Sequence, residues 1–208
     1  MTPPRNEQGS LEGIIEVELK FRLDDLQAFR EKLADHAARP RATVRQQDAY
    51  FAHPLRDFAK TDEALRIRIT DDSGHVTYKG PRFDSETKSR QETEIAFAGG
   101  PADAERFALV LEQLGFTTVR TVSKQRELWD LTSRQGDIEI AIDSVEGLGT
   151  FVELERTVPA NQFNEAKAAI QSLAKDLGLT EPEHRSYLGL LLSTPWRPER
   201  DGTPPREE

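Results

Sequence analysis

The sequence predicts an α+β protein in which strands dominate and helices occur only between groups of strands. In eight segments, apolar and polar residues alternate one by one, which is typical of strands with one buried and one polar face. Four other segments show the three-to-four-residue spacing of amphipathic helices. With 208 residues and no internal repeat, the chain can bury one substantial core, so we expect one domain.

The alternation is clearest in the first predicted strand. In residues 15–23 the apolar residues occupy odd positions and the charged ones even positions, namely Glu16, Glu18, Lys20 and Arg22. Weaker alternation marks residues 90–97 and 122–131. In chain order, the predicted strands cover residues 15–23, 42–51, 65–70, 75–80, 90–97, 122–131, 138–143 and 151–155.

Helical spacing fills most of the remaining sequence between these strands. Gly115 and Gly178 follow two of the helical segments and are typical helix stops. The predicted helices cover residues 24–36, 102–114, 161–177 and 183–192. Residues 1–11 and 194–208 lack periodicity and are rich in proline and charge, so we expect disordered tails around a domain at 12–193.

Composition excludes several classes of protein. The net charge of −9 argues against a basic nucleic-acid coat, and the absence of cysteine excludes disulfides and thiolate metal sites. No stretch approaches the length of a membrane span, and the first residues do not resemble a secretion signal. We therefore expect a cytoplasmic protein without nucleic-acid or membrane partners.

The polar faces of the predicted strands carry both signs of charge. A sheet whose apolar face is covered by helices leaves this charged face either solvated or, if the sheet closes into a barrel, lining a lumen. Charges inside a lumen are costly unless they pair or bind a charged ligand. A polyphosphate with divalent cations would satisfy both signs, because Arg and Lys bind phosphate oxygens and crowded carboxylates bind Mg²⁺ or Mn²⁺. The pattern alone does not decide between such a charged lumen and a sheet whose charged face is exposed to water.

A series of short motifs resembles the CYTH superfamily, also called triphosphate tunnel metalloenzymes. The segment EVELK at 16–20 looks like the ExExK signature of that superfamily. The other motifs follow in similar order and spacing: QDAYF at 47–51, ALRIR at 64–68, TYKGP at 77–81, RQETE at 90–94, KQR at 124–126 and DSVEGLGTFVELE at 143–155. The last of these, with YKGP, is most similar to the class IV adenylyl cyclase (CyaB-type) branch.

This resemblance implies a fold and a set of site residues. The implied fold is an eight-stranded antiparallel closed β-barrel, the triphosphate tunnel, with helices packed on the outside. The implied ligands of Mg²⁺ or Mn²⁺ are Glu16, Glu18, Asp143, Glu153 and Glu155. The implied triphosphate-binding residues are Lys20, Arg66, Arg68, Lys79, Arg90, Lys124 and Arg126. The catalytic candidates are Lys20, Glu92, Glu94 and Asp143.

The resemblance also implies the chemistry of phosphoryl transfer on a small-molecule triphosphate. A class IV adenylyl cyclase converts ATP to cyclic AMP and pyrophosphate. The same residues would serve the alternative reaction, in which tripolyphosphate or thiamine triphosphate is hydrolysed to release orthophosphate. A third hypothesis is a polyphosphate- or nucleotide-binding module without turnover, although anion binding alone would not need so many carboxylates. The resemblance also makes a homodimer an expectation.

Overall fold

A computed structural model of the chain describes residues 14–82, 90–133 and 136–193. The two predicted tails, 1–11 and 194–208, lie outside the described residues. In chain order the elements are β1 (Ile14–Arg22), α1 (Leu26–Asp35), β2 (Arg39–Ala52), α2 (Phe58–Thr61), β3 (Ala64–Thr70), β4 (Ser73–Lys79), β5 (Glu92–Phe97), α3 (Gly100–Gln113), β6 (Thr117–Ser133), β7 (Gly136–Val145), β8 (Gly149–Pro159), α4 (Phe163–Asp176) and α5 (Tyr187–Ser193).

All eight predicted strands are confirmed, and they form one curled antiparallel sheet. Its order is β1-β8-β7-β6-β2-β3-β4-β5, so β1 and β5 are the edge strands. These edges come together at an isolated antiparallel bridge between Glu16 in β1 and Arg90, two residues before β5. The sheet therefore curls far enough for its first and last strands to meet at this point.

Helices α1 and α4 cover the outer face of β1, β7 and β8. Odd-numbered apolar residues of β1, such as Val17, pack with Ile140 and Leu154 against Leu33 of α1 and Ile170 of α4. The spacing of Phe29 and Leu33 places both on the buried side of α1, whose first turn is capped by the Asp25 carboxylate accepting from the amide of Ala28 at 2.9 Å. This core leaves the charged residues of the same strands facing the other way.

Helix α3 covers the outer face of β3 and β4. Ala104 and Leu111 of the helix are buried with Ile67 of β3 and Phe51 of β2. No helix among the described residues is long and apolar enough to cross a membrane.

Helix α5 packs on the inner face, unlike the external helices that were predicted. Its Tyr187 is buried against Val122 and Phe151. These two strand residues lie two positions from Lys124 and Glu153, on the charged side of β6 and β8. The prediction that all helices pack outside is therefore wrong for α5, because the inner face is also apolar where this helix meets it.

Candidate active site

The inner face of the sheet surrounds a cavity of about 990 Å³. Every predicted site residue except Asp143 lines this cavity. They come from six strands and, for Arg90, from two residues before β5, and they are Glu16, Glu18, Lys20, Arg66, Arg68, Lys79, Arg90, Glu92, Glu94, Lys124, Arg126, Glu153 and Glu155. The described structure thus brings together residues that are up to 139 positions apart in sequence, between Glu16 and Glu155 (155 − 16).

The strand register places opposite charges side by side. Lys20 of β1 is the Cα partner of Glu153 in β8, and Lys79 of β4 is the partner of Glu92 in β5. The ammonium group of Lys79 forms an ion pair with Glu92 and lies 3.7 Å from the carboxylate of Glu16. Opposite charges on neighbouring strands stabilise a sheet modestly, and here they also keep the inner face close to electroneutral.

Asp143 lies behind the cavity wall and is completely buried. Its carboxylate accepts hydrogen bonds from Lys124 Nζ at 2.9 Å, from Arg126 Nε at 2.7 Å and from the Tyr187 hydroxyl at 2.9 Å. Burial alone would raise the pKa of Asp143, but the charges of Arg126 and Lys124 hold it below its usual value. Asp143 therefore orients two cations, and one of them, Arg126, lies between its carboxylate and that of Glu153, another predicted metal ligand.

Arg126 connects Asp143 to the cavity. Besides its paired hydrogen bonds to Asp143, its Nη2 donates to Glu153, which does line the cavity. Lys124 is the other buried cation of this group, and burial together with the charge of Arg126 lowers the pKa of Lys124 to about 8. The cations of this cluster are thus held in place by buried acceptors before any ligand arrives.

A second buried carboxylate, Asp48 of β2, organises the neighbouring part of the cavity wall. Arg68 donates to it through Nε at 2.6 Å and Nη2 at 2.7 Å, while Arg66 Nη1 lies 3.6 Å away. Burial would raise the pKa of Asp48, but Arg66 and Arg68 hold it well below its usual range. The prediction did not include Asp48, although it stands between Gln47 and Ala49 in one of the motifs used.

Arg66 has an unused donor that points to an anionic ligand. Its Nε is buried and has no hydrogen-bond partner among the described residues. The side chain is about 10% exposed and lines the cavity. An unpaired buried donor on a cation is costly, so an anion that enters the cavity would recover this energy.

Carboxylates crowd together on the β1–β8 side of the cavity. Burial and then the charges of Glu16 and Glu18 raise the pKa of Glu155 well above its ordinary value, and Glu139 adds to the effect. Such oxygen donors suit a hard divalent cation, which would relieve their repulsion. Within the described ranges, no three acidic or histidine side chains already form a ligand cluster. A Mg²⁺ site does not require one, because this ion usually takes one or two carboxylates together with water and substrate phosphates.

Lys20 lies under the segment that leads into α5. Its Nζ donates to the Arg185 carbonyl at 2.6 Å and lies 3.9 Å from the centre of the Tyr187 ring. The amide of Glu183 donates to the Lys20 carbonyl at 2.7 Å, so β1 and this segment are joined through backbone as well. Sequence reasoning extended the last helix to 183, whereas the structure uses 183–186 to bind β1 and position Tyr187.

The remaining predicted residues have partners of different kinds. Glu94 accepts from the Thr77 hydroxyl at 2.8 Å. Arg90 donates to the carbonyl oxygens of Asp62 at 3.2 Å and Gly80 at 3.5 Å. Arg90 therefore joins the β4–β5 side of the sheet to the start of β3, in addition to lining the cavity.

Comparisons with known proteins agree with this geometry. The family described as "CYTH domain" matches residues 15–187. A protein of Methanocaldococcus jannaschii that is named, provisionally, as an adenylate cyclase is 37% identical over 180 residues, covering 85% of this chain and 98% of that protein. Adenylate cyclase CyaB of Aeromonas hydrophila is 32% identical over 184 residues, covering 85% and 88%.

Solved structures show the same relationship. The PH1819 protein of Pyrococcus horikoshii has a TM-score of 0.76 and 37% sequence identity, with 85% of this chain and 98% of that chain covered. The family match spans most of the chain and includes every residue of the cavity wall named above. The resemblance inferred from the motifs is confirmed, and the chain belongs to the CYTH family.

Proposed function

We propose that the chain is a metal-dependent phosphoryl-transfer enzyme that acts on a triphosphate, and that it is a class IV adenylyl cyclase forming cyclic AMP and pyrophosphate from ATP. One observation carries the proposal: all seven basic side chains that the motifs identified converge on a single cavity that also holds several carboxylates. The names of two relatives more than 30% identical favour the cyclase reaction.

We further propose that the curled sheet forms a closed tunnel around the substrate. The bridge between Glu16 and Arg90 supports this, because it joins the two edges of the sheet. The hydrogen bonds from Arg90 to the Asp62 and Gly80 carbonyls would hold this seam together. Inside such a tunnel the reduced dielectric would strengthen each contact between a basic side chain and a phosphate oxygen.

The basic side chains would bind the triphosphate before the reaction. Two buried carboxylates hold four of these cations in place. Asp48 pairs with Arg66 and Arg68 of β3. Asp143 pairs with Lys124 and Arg126 of β6. Because their orientation is fixed in advance, little side-chain entropy is lost when phosphate oxygens bind. We therefore assign Asp143 a positioning role instead of the metal-ligand or catalytic role inferred from the resemblance.

Glu16, Glu18 and Glu155 are the residues that would hold a divalent cation. When bound, Mg²⁺ or Mn²⁺ would neutralise charge on the phosphate oxygens as a Lewis acid. Glu153 forms an ion pair with Arg126. Its carboxylate would therefore act where the acidic part of the cavity wall meets the basic part.

In the proposed reaction, the 3′-hydroxyl of ATP attacks the α-phosphorus and the bond to the β-phosphate oxygen breaks. Glu92 and Glu94 line the cavity and are the candidates to orient this hydroxyl and accept its proton. The basic side chains that bind the triphosphate would stabilise the negative charge that develops on the leaving pyrophosphate. Lys20, held against Tyr187 and the Arg185 carbonyl, is placed to contribute to that stabilisation.

Product analysis tests this proposal directly. The protein is incubated with Mn²⁺ and either ATP, tripolyphosphate or thiamine triphosphate, and the products are separated by chromatography. We expect cyclic AMP and pyrophosphate from ATP. Orthophosphate as the main product would replace the cyclase assignment with a triphosphatase, and the absence of any product would favour a binding module.

Replacing Arg66 by alanine tests whether the basic side chains of the cavity bind the triphosphate. We expect the Kd for ATP to rise by roughly tenfold to a hundredfold, because hydrogen bonds to a charged group contribute about 1.5–3 kcal/mol. Calorimetry measures the Kd. Thermal unfolding should show only a small change in Tm, because Asp48 still accepts a hydrogen bond from Arg68. Arg106→Ala on α3 is the matched control, since this arginine is 79% exposed and does not line the cavity. An unchanged Kd in Arg66→Ala would exclude Arg66 from the binding site.

A further inference from the structure

A row of four carboxylates crosses the inner face of the sheet. Glu18 of β1 is the Cα partner of Glu155 in β8, and Glu155 is also the partner of Glu139 in β7. Glu139 is in turn the partner of Asp130 in β6. These four strands are neighbours, and neighbouring strands are only about 4.8 Å apart. The register therefore places one acidic residue from each strand in a single line, the acidic row.

The acidic row is unfavourable unless cations lie along it. Like charges at directly opposite positions of neighbouring strands destabilise a sheet. The side chains do interact here: after burial and the charges of the two β1 glutamates, the charge of Glu139 also raises the pKa of Glu155. Glu18 and Glu155 belong to the proposed cation site. Glu139 lines the same cavity, but the CYTH resemblance gives it no role.

One arginine neutralises the other end of the acidic row. The guanidinium of Arg41 in β2 donates from Nη1 to the Asp130 carboxylate at 2.9 Å and from Nη2 to Glu139. Each of these nitrogens thus binds a different carboxylate of the row. Arg41 does not itself line the cavity, whereas Glu139 does. Any effect of Arg41 on a ligand in the cavity must therefore pass through Glu139.

A β-bulge brings Arg41 to this position. In the pairing of β2 with β6, Pro40 lies opposite Trp129 and Ala42 lies opposite Leu128, so Arg41 is an extra residue without a partner in β6. Bulges re-aim side chains and are common next to active sites. Here the guanidinium contacts β6 and also reaches β7, which is the second strand from β2 in the sheet.

Arg41 and a divalent cation compete for Glu139. Directly paired residues have Cβ atoms roughly 4.5–5.5 Å apart, so the carboxylate of Glu139 is close enough to join a cation bound at Glu155. While Glu139 is paired with Arg41, it offers less negative charge to that cation. Partners that contact a metal site only through another residue change metal affinity by about 10–100-fold. Because Arg41 is itself a cation, its removal should raise the affinity.

We propose that Arg41 is a positioning residue that keeps Glu139 from binding the divalent cation, and that it thereby lowers the affinity of the substrate-free protein for that cation. This inference rests on the proposed function, because it assumes a cation at the β1–β8 end of the acidic row. It gives the bulge in β2 a role at the active site. It also agrees with the absence, within the described ranges, of a ready cluster of three acidic ligands.

The test measures the Kd of Mn²⁺ by calorimetry on the full chain, without a triphosphate and at about 0.15 M salt. Arg41→Ala removes the guanidinium that pairs with Glu139. Arg39→Ala is the matched control, because Arg39 is also exposed, carries the same charge on β2 and is the Cα partner of Asp130. The double substitution Arg41→Ala with Glu139→Gln shows whether the effect passes through Glu139.

We expect Arg41→Ala to lower the Kd of Mn²⁺ by about tenfold. Arg39→Ala should change this Kd by less than about twofold, because salt screens an exposed charge that does not contact Glu139. The double variant should bind Mn²⁺ about as the wild type does. Thermal unfolding gives a second readout, since the same Mn²⁺ concentration should raise the Tm of Arg41→Ala more than that of the wild type.

Three results would overturn the proposal. If the Kd in Arg41→Ala is unchanged or higher, or if neither this variant nor the wild type binds Mn²⁺, the ion pair serves only the fold, as exposed ion pairs commonly do. If Arg39→Ala reproduces the gain, the effect is one of net charge. If the gain persists in the double variant, Glu139 does not bind the cation. The proposed function fails separately, when product analysis with Mn²⁺ shows no turnover of any triphosphate.

Discussion

Replacing Asp143 by alanine is expected to lower the free energy of unfolding by about 3–5 kcal/mol, the cost of leaving buried charges without their partner. Asp143 is completely buried and accepts from Lys124, Arg126 and Tyr187. Its loss would strand two cations that are themselves almost inaccessible, with side-chain exposures of 2% and 8%. Chemical denaturation measures the loss, which corresponds to a fall in Tm of roughly 6–20 °C for a domain of this size.

Asp130→Ala is the matched control for this prediction. Asp130 lies on the strand next to Asp143 and pairs with Arg41 at 2.9 Å, but its side chain is 49% exposed. Exposed ion pairs contribute only about 0–1 kcal/mol, so this variant should unfold nearly as the wild type does. Asp143→Asn keeps a hydrogen-bond acceptor and should fall between the two. A loss of less than 1 kcal/mol in Asp143→Ala would show that the cluster does not depend on Asp143.

The sequence was sufficient to predict the strands and the side of each strand that carries charge. Alternation has a period of two, so Glu16, Glu18 and Lys20 must share one face wherever β1 lies. The pairing of those charges was not predictable, because it depends on the register of strands that are far apart in sequence. The Cα pairing of Lys20 with Glu153, for example, joins residues 133 positions apart (153 − 20).

Sequence reasoning did not find residues that act through others, and it could not distinguish such a role for Asp143. Asp48 has a charge of the right sign, but only its burial beside Arg66 and Arg68 distinguishes it from a solvated aspartate. For Asp143 the resemblance implies a metal ligand, and only its burial against Lys124, Arg126 and Tyr187 suggests the positioning role proposed above. Helix α2 was not predicted because its four residues, Phe58–Thr61, are too few to show helical periodicity, although Asp57 caps it.

Replacing Glu155 by glutamine is expected to reduce metal-dependent turnover by roughly a thousandfold, because a metal's charge stabilisation contributes several kcal/mol. The same change should stabilise the metal-free protein. Burial and the charges of Glu16 and Glu18 raise the pKa of Glu155 in the folded protein. An ionised Glu155 therefore lowers the free energy of unfolding at neutral pH. The gain in stability should be largest above the raised pKa of Glu155. It should shrink as the pH falls toward the ordinary pKa of a glutamate.

Thermal unfolding with and without Mn²⁺ separates these two effects. Binding to the folded state raises Tm, so Mn²⁺ should stabilise the wild type and leave Glu155→Gln nearly unchanged. Glu112→Gln on the exposed face of α3 removes the same charge at a residue that does not line the cavity, and it should keep both the turnover and the response to Mn²⁺. If Glu155→Gln keeps both as well, Glu155 is not a metal ligand, and its crowding with Glu16 and Glu18 must serve the fold or the substrate in another way. If it loses both while the metal-free protein becomes more stable, the repulsion between these carboxylates is the energetic cost of keeping a cation site ready for use.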